Sequence, residues 1–481
     1  MATKQKTTDS GFVHGEDFEL DTPDYVIAEL RYDSGVAVLP KEGVASTAAA
    51  EAEAGGIQEV LASYDIAKVG PHFPLAASVL RERLEVVTAA RARVSSEFVE
   101  SGFMQIVPKR SRDAARIAER LRARKDAVWN AYVAPRPVPA TVNSGAMPGS
   151  RNFEPAQGYL CSAPDGIGAM HVWGIGGGKG KGVRICDIEG NWNLAHEDLP
   201  AGIPIIGGTL VAGQSWVDHG TAVLGEMVSK RGSIGTVGIA HEAKAAVHPF
   251  VVNGVANPAA AITGAAARLS AGDAILIELQ APGGPNNKYL ALQFWPDVFA
   301  AIVAATAKDI TVVEAAGNGN ENFDLAAFNG TGLQKDSGAI VVGAGIPPTD
   351  FFDASNPPTA YTHIGVPRSR IWFSNYGRIV NVHGWGWHVT TCGYGDAQGG
   401  RNQNAWYTLR FSGTSSASPI VTGAVACLQG ISKVSNGAPL PPARVRSILM
   451  KSGTPQQAGP GVPLNQHIGP LPDLKKAATL V

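Results

Sequence analysis

Five short apolar runs constrain the fold of this chain more than any other feature: VRICDI from Val183, AAVHPFV from Ala245, AILIELQ from Ala274, ITVVEAAG from Ile310 and AIVVGAG from Ala339. They lack the polar-apolar alternation of a half-solvated strand, and each reads as a strand buried on both faces. Alanine-rich stretches at helical spacing lie between them. One opens at Asn257-Pro258, a cap followed by proline at the first helical position, and continues through AAAITGAAARL. Strands alternating with helices predict an α/β domain with a parallel sheet covered on both sides, whose ligands bind beyond the C-terminal strand ends.

A different texture precedes this region. Residues Asp24 to Tyr32, Phe103 to Pro108 and Val128 to Val133 are strand-like, Ile57 to Ala67 is helix-like, and Ser111 caps a helix through DAARIAERLRARK. Arg112, Arg116, Arg120, Arg122 and Arg124 share that helix with Asp113 and Glu119 and have no interleaved aromatics, which marks a solvated face and not a nucleic-acid surface. The proline-rich, then glycine- and serine-rich stretch APRPVPATVNSGAMPGS reads as a linker. The expected organisation is a small α+β domain over 1–139 with a disordered N-terminal tail, a linker over 140–154 and the α/β domain over 155–481.

Composition removes several functions. Forty Lys+Arg against 41 Asp+Glu leave a net charge of -1 in 481 residues, so no global field draws nucleic acid or anionic membrane. The first residues lack the apolar core of a secretory signal, and no run approaches the roughly eighteen apolar residues of a membrane span. Cytosolic synthesis is expected, with signal-independent export left open. Cys161, Cys186, Cys392 and Cys427 lack CxxC spacing and read as reduced thiols, without a metal cluster. GGGKGKG at Gly176 to Gly182 precedes a strand and lacks the Ser/Thr of a phosphate loop.

Three polar residues stand at the margins of buried elements. Asp187 ends the run VRIC, His219 opens the helical segment in DHGTAVLGEMV, and Ser415 lies in GTSSASP just ahead of a helix carrying IVTGAVACL. Singly, each is a turn or cap residue. Together they supply a hydroxyl nucleophile, a base to take its proton and a carboxylate to orient that base. Asn318, in VVEAAGNGN, offers an amide donor for a developing oxyanion. Gly413 permits a tight turn ahead of the helix, Ala417 and Ser418 keep its start narrow, and Pro419 is expected in a first turn that needs no N–H.

These segments, with AHEDL, SIGTVGIAHEA and FSNYG, resemble the subtilisin-like serine proteases, the subtilases, in their order along the chain from about Pro155 onward. The resemblance implies a three-layer domain with a mostly parallel central sheet, preceded by a propeptide-like domain that assists folding and blocks the cleft. It implies Asp187 as orienting acid, His219 as general base, Ser415 as nucleophile and Asn318 as oxyanion donor. Ala222, Ser416 and Ile420 depart from the family pattern without removing a proton carrier. Gly232 stands where many relatives carry a calcium-binding Asn, although Asp198 is kept, so a structural calcium is not favoured and no cofactor is required.

LQAPGG and AAGN resemble the stretches lining the family's specificity pocket, which nominates Leu279, Gln280, Ala281, Ala316 and Gly317 for substrate binding. Glu278 and Glu314 interrupt these apolar strands; they either favour a basic substrate side chain or bond a neighbouring loop and never meet substrate. The implied function is a serine endopeptidase acting through an acyl-enzyme. A peptide ligase or macrocyclase on the same constellation and an inactive protease-like scaffold are the alternatives. Expected partners are a protein or peptide substrate and an inhibitor, either a separate protein or the chain's own residues up to about Pro139 folded over the cleft.

Overall fold

A computed structural model describes residues 22–31, 36–39, 43–46, 51–73, 102–137, 151–348 and 365–481. The expected N-terminal tail and most of the expected linker lie outside the described residues.

The N-terminal unit is a four-stranded antiparallel sheet built from β1 (Val26–Leu30), β2 (Ile66–Pro71), β3 (Phe103–Pro108) and β4 (Val128–Val133), in the order β2-β3-β1-β4. Two helices, α1 (Glu51–Ala62) and α2 (Ala114–Arg122), cover one face. Alternation assigns the faces: Val26, Ala28 and Leu30 pack under the helices, whereas Tyr25 and Ile27 point the other way into the core of the larger domain. Two expectations shift. The helix near Ile57 starts earlier and stops at Ala62, and Ile66–Pro71 is an edge strand. The helix expected from Ser111 opens as a 3-10 turn, Ser111–Asp113, and becomes α-helical at Ala114.

The five apolar runs all become strands. The six-stranded sheet comprises β5 (Arg184–Glu189), β6 (Lys244–Pro249), β7 (Ala274–Ile277), β8 (Thr311–Ala315), β9 (Ile340–Gly345) and β10 (Val380–Trp385) in the order β10-β9-β8-β7-β5-β6, with every pairing parallel. Both faces are covered, as the unbroken apolar character requires. Ile185, Leu276 and Val313 face a layer containing α3 (Gln214–Val228) and α6 (Thr414–Ser435). Cys186, Ile188, Ile275, Ile277 and Val312 face α4 (Pro258–Ala266) and α5 (Pro296–Thr306). Asn257 caps α4 through its side-chain oxygen, which accepts from Ala260 N at 2.9 Å, with Pro258 in the first turn. Among the described residues no helix is long and apolar enough to cross a membrane.

The N-terminal sheet docks on the α4 and α5 layer. Tyr132 donates to Asp297 Oδ1 at 2.6 Å, His72 Nε2 lies 2.8 Å from Asp297 Oδ2, and Asn257 Nδ2 donates to His72 O at 3.2 Å. Its described residues therefore grip the helices on the sheet face opposite α6.

Candidate active site

The site forms where β5, α3, the end of β8 and the start of α6 converge. A strand turns over its side chains with period two, so Asp187 and Glu189 leave β5 on the same face, toward α3. Glu189 is the carboxylate that meets the imidazole: its Oε2 pairs with His219 Nδ1 at 2.5 Å, and its Oε1 accepts from Gly190 N at 2.8 Å. Asp187, expected in that place, instead accepts from Trp192 Nε1 at 2.7 Å. Its Oδ1 is buried without a hydrogen bond. Glu189 stands one pleat closer to the strand end and carries one more methylene, which gives it the reach to His219. Burial raises the Asp187 carboxyl well above its ordinary value, the neighbouring Glu189 charge adds to this, and the Trp192 N–H opposes it.

His219 is fully buried on α3, with the Phe411 ring edge-on at 5.4 Å. Gly220 beside it is required by packing: a Cβ there would come within 2.3 Å of Asn191 O and 2.6 Å of the Trp192 ring. The loop that carries Asp187's partner can thus lie directly on α3. His219 Nε2 has no hydrogen-bond partner.

Ser415 is the second residue of α6, and Gly413 ahead of that helix has φ 104°, a conformation open to glycine. The first-turn N–H groups there lack intrahelical acceptors. Pro419 falls at the sixth helical residue, not in the first turn as expected, so it removes the N–H that would have bonded the carbonyl of Ser415. Asn318 Oδ1 accepts from Thr414 N at 2.9 Å and from Thr414 Oγ1 at 3.0 Å, which ties β8's end to the start of α6. Its Nδ2 is buried and uncommitted.

The expected substrate residues divide. Gln280 Oε1 accepts from Asn318 N at 2.8 Å, and Gly317 N donates to Thr414 Oγ1 at 3.1 Å, so both belong to the framework behind the site. Leu279, Ala281 and Ala316 have side chains fully buried in the core on the α4 and α5 side. Glu314 is also on that side, away from His219 and Ser415; its Oε1 accepts from Gln293 N at 2.8 Å, which fits the loop-bonding alternative and not a substrate contact. Glu278 faces α6, where its Oε1 meets Ser418 Oγ and its carboxyl also interacts with Ser415. At 1% exposure it is buried beside Ser415 and not in an open pocket.

The calcium question turns on donors. Asp198 Oδ2 accepts from Thr236 N at 2.6 Å and from Thr236 Oγ1 at 3.0 Å, and Gly232 brings no side-chain oxygen. That set does not fit an ion taking about six to eight oxygens. Cys161, Cys186, Cys392 and Cys427 are all free.

Glu189 escapes a reading that stops at the first carboxylate of CDIEG. The i, i+2 spacing of Asp187 and Glu189 is the available signal, since it places both on one face of any strand.

Residues 208–469, more than half of the chain, match the family model of peptidase S8, the Subtilase family. No curated protein matches. The solved structure of fervidolysin from Fervidobacterium pennivorans, a keratinolytic enzyme related to subtilisin, is similar at 15% identity and a TM-score of 0.51, over 98% of this chain and 62% of that one. This chain therefore spans less than two thirds of fervidolysin. A protease from Pseudoalteromonas arctica is similar at 18% identity and a TM-score of 0.47, covering 69% of this chain and 98% of its own. The prenylagaramide maturation protease PagA is similar at 18% identity and a TM-score of 0.43, covering 65% and 98%. The family match joins a six-stranded parallel sheet between two helical layers and a preceding α+β unit: the chain belongs to the subtilases, the subtilisin-like serine proteases.

Proposed function

We propose that the chain is a serine endopeptidase whose orienting acid is Glu189 and not Asp187. The observation that carries this is the contact of Glu189 Oε2 with His219 Nδ1, which leaves Nε2 as the only ring nitrogen able to take a proton from a hydroxyl. In this mechanism Ser415 attacks the scissile carbonyl as Nε2 accepts its proton, and Glu189 stabilises the imidazolium. The oxyanion is met by Asn318 Nδ2, which is buried without another partner, beside the start of α6 that Asn318 Oδ1 holds through Thr414 N. His219 then protonates the leaving amine, and water resolves the acyl-enzyme by the reverse path.

Asp187 acts as a strut: bonded to Trp192, it holds the loop packed on Gly220 and so fixes the approach of α3. Substrate specificity rests on main chain and backbone shape near 279–281 and 316–317, because the side chains of Leu279, Ala281 and Ala316 are turned inward.

A fluorophosphonate probe tests the nucleophile. It should label the wild-type chain at Ser415 and leave Ser415→Ala unlabelled, and only the wild type should cleave casein to products heavier by one water per cut. Labelling or cleavage that survives in Ser415→Ala would refute the assignment.

A further inference from the structure

The mechanism leaves one group beside the nucleophile unexplained. Glu278 follows the last residue of β7, and its N–H donates to Ile188 O at 3.4 Å, which sets it abreast of Glu189. Every element around it presents a definite group. From β5 come Asp187 and Glu189, from α6 Ser415 and Ser418, and from α3 Glu226. His219 lies on that same face of α3, seven residues before Glu226 and so about two turns away. From β8, Val313 and Ala315 share this side, while Glu314 points to the other. No Lys or Arg among the described residues figures among the groups acting on Glu278. Its Oε2, and both carboxyl oxygens of Glu226, are buried without hydrogen-bond partners.

Glu278 and Glu226 have neither a cation nor an N–H donor in this dry layer, and beside Asp187 and Glu189 the four carboxyls cannot all ionise. Proton placement at Ser418 points the same way. Its hydroxyl has one proton and two neighbours, Glu278 Oε1 and Thr414 O, the latter at 2.7 Å and able only to accept. If Glu278 is neutral, its acid proton goes to Ser418 Oγ, and Ser418's own proton goes to Thr414 O. Every proton then has an acceptor. Burial raises the Glu278 carboxyl well above its ordinary value; the Ser418 bond opposes this, the charges of Asp187 and Glu189 reinforce it, and Ser415 opposes it.

We propose that Glu278 is a positioning residue for Ser415 and must be a neutral acid for the enzyme to turn over. This rests on the assignment of Ser415 as nucleophile. A neutral Glu278 leaves the Ser415 proton free for His219 Nε2. An ionised Glu278 does two harmful things at once: it accepts the Ser415 proton in competition with His219, and it sets a negative charge beside the developing oxyanion. Activity is therefore lost on the alkaline side by ionisation of a residue that the peptide never touches.

The test is the second-order rate of fluorophosphonate labelling of the full chain from pH 5 to 10, with folding checked by thermal unfolding at each pH. The wild-type rate should fall about tenfold per pH unit beyond a single alkaline ionisation. Glu278→Gln, neutral at every pH, should label within about threefold of wild type at neutral pH and lack that fall. Glu278→Ala should be slower by about tenfold or more throughout, with the Gln variant as its rescue. Ser418→Ala, which removes the hydroxyl bonded to Glu278 Oε1, should move the fall along the pH axis. A wild-type rate flat to pH 10, a Gln variant that keeps the fall, or an Ala variant as fast as wild type would each overturn the proposal, and if Gln misfolds an unmoved fall in Ser418→Ala does so. Labelling that survives in Ser415→Ala would instead overturn the nucleophile assignment beneath it.

Discussion

The same sheet buries a glutamate on each face, and the two are treated in opposite ways. Glu314, on the α4 and α5 side, is met by the main-chain N–H groups of Gln293 and Leu292. Glu278, on the α3 and α6 side, is met by serine hydroxyls among other carboxyls. One face gives its carboxyl main-chain N–H donors, although Glu314 Oε2 is still buried without a hydrogen bond. The other leaves polar atoms unspent: Asp187 Oδ1, His219 Nε2, Asn318 Nδ2, both oxygens of Glu226 and Glu278 Oε2 all lack partners. Buried polar atoms left open cost stability, and the α3 and α6 face carries more of them around His219 and Glu278 than the opposite face carries around Glu314. The contrast predicts a division of labour: substitutions on the α3 and α6 face change turnover, and those on the opposite face change stability.

The sharpest break would come at β5. Glu189→Gln should lower kcat by about 10⁴-fold, the scale for an orienting carboxylate turned into an amide that misplaces the imidazole proton. Asp187→Asn should cost about tenfold or less, since an amide oxygen can still accept from Trp192 Nε1. Steady-state kinetics on one peptide substrate decides between them. Equal losses would return the orienting role to Asp187.

Asn318→Ala should lower kcat by about 10²–10³-fold with KM little changed, the scale known for subtilisin, a member of this family. The loss of the Thr414 contacts brings a stability change as well, so the KM-against-kcat split is the telling readout. A rise in KM at constant kcat would assign Asn318 to ground-state binding.

On the other face the expected effect is thermodynamic. Burial raises the Glu314 carboxyl to about 8, with the Gln293 and Leu292 N–H groups opposing the rise. Below its unfolded value the group is neutral in both states and costs nothing. As pH climbs from about 4.5 toward 8 the unfolded chain gives up a proton that the folded chain keeps, so this group lowers stability over that window and levels off above it. Glu314→Gln should remove one proton from the linkage, flattening the fall by up to about 1.4 kcal/mol per pH unit in denaturant titrations. Labelling at Ser415 should be unchanged. A changed labelling rate with unchanged pH dependence would erase the distinction between the two faces.

How far the sequence carried depended on which physical signal each part left. The five runs were legible as strands because burial on both faces removes polar residues from them, and the α4 start was legible because Asn-Pro serves one local need. His219, Ser415 and Asn318 stood out as polar groups at the ends of apolar elements. Glu189 did not, because Asp187 had already filled the acid's place; only the face shared by alternate residues shows that both reach α3. The opposite orientations of Glu278 and Glu314 follow from pairing register, which places Ile277 beside Glu314 and therefore Glu278 on the other side. Register is not written in either segment alone. Ile66–Pro71 escaped notice because an edge strand with its middle exposed lacks the apolar signature of a central one.

The smallest effect lies where the stabilising face continues into the N-terminal sheet. Tyr132 donates to Asp297 Oδ1 while His72 occupies Oδ2, so both oxygens of a buried carboxyl on α5 are taken by the N-terminal unit. Tyr132→Phe keeps the ring and removes one of these bonds. A single buried hydrogen bond contributes about 1 kcal/mol net, and His72 still holds the other oxygen. The variant should unfold about 2–4 °C lower, the scale for such a loss in a domain of this size, with Ser415 labelling unaltered. If labelling accelerates instead, the contact on α5 governs access to the cleft, and the α4 and α5 face is a control surface as well as a support.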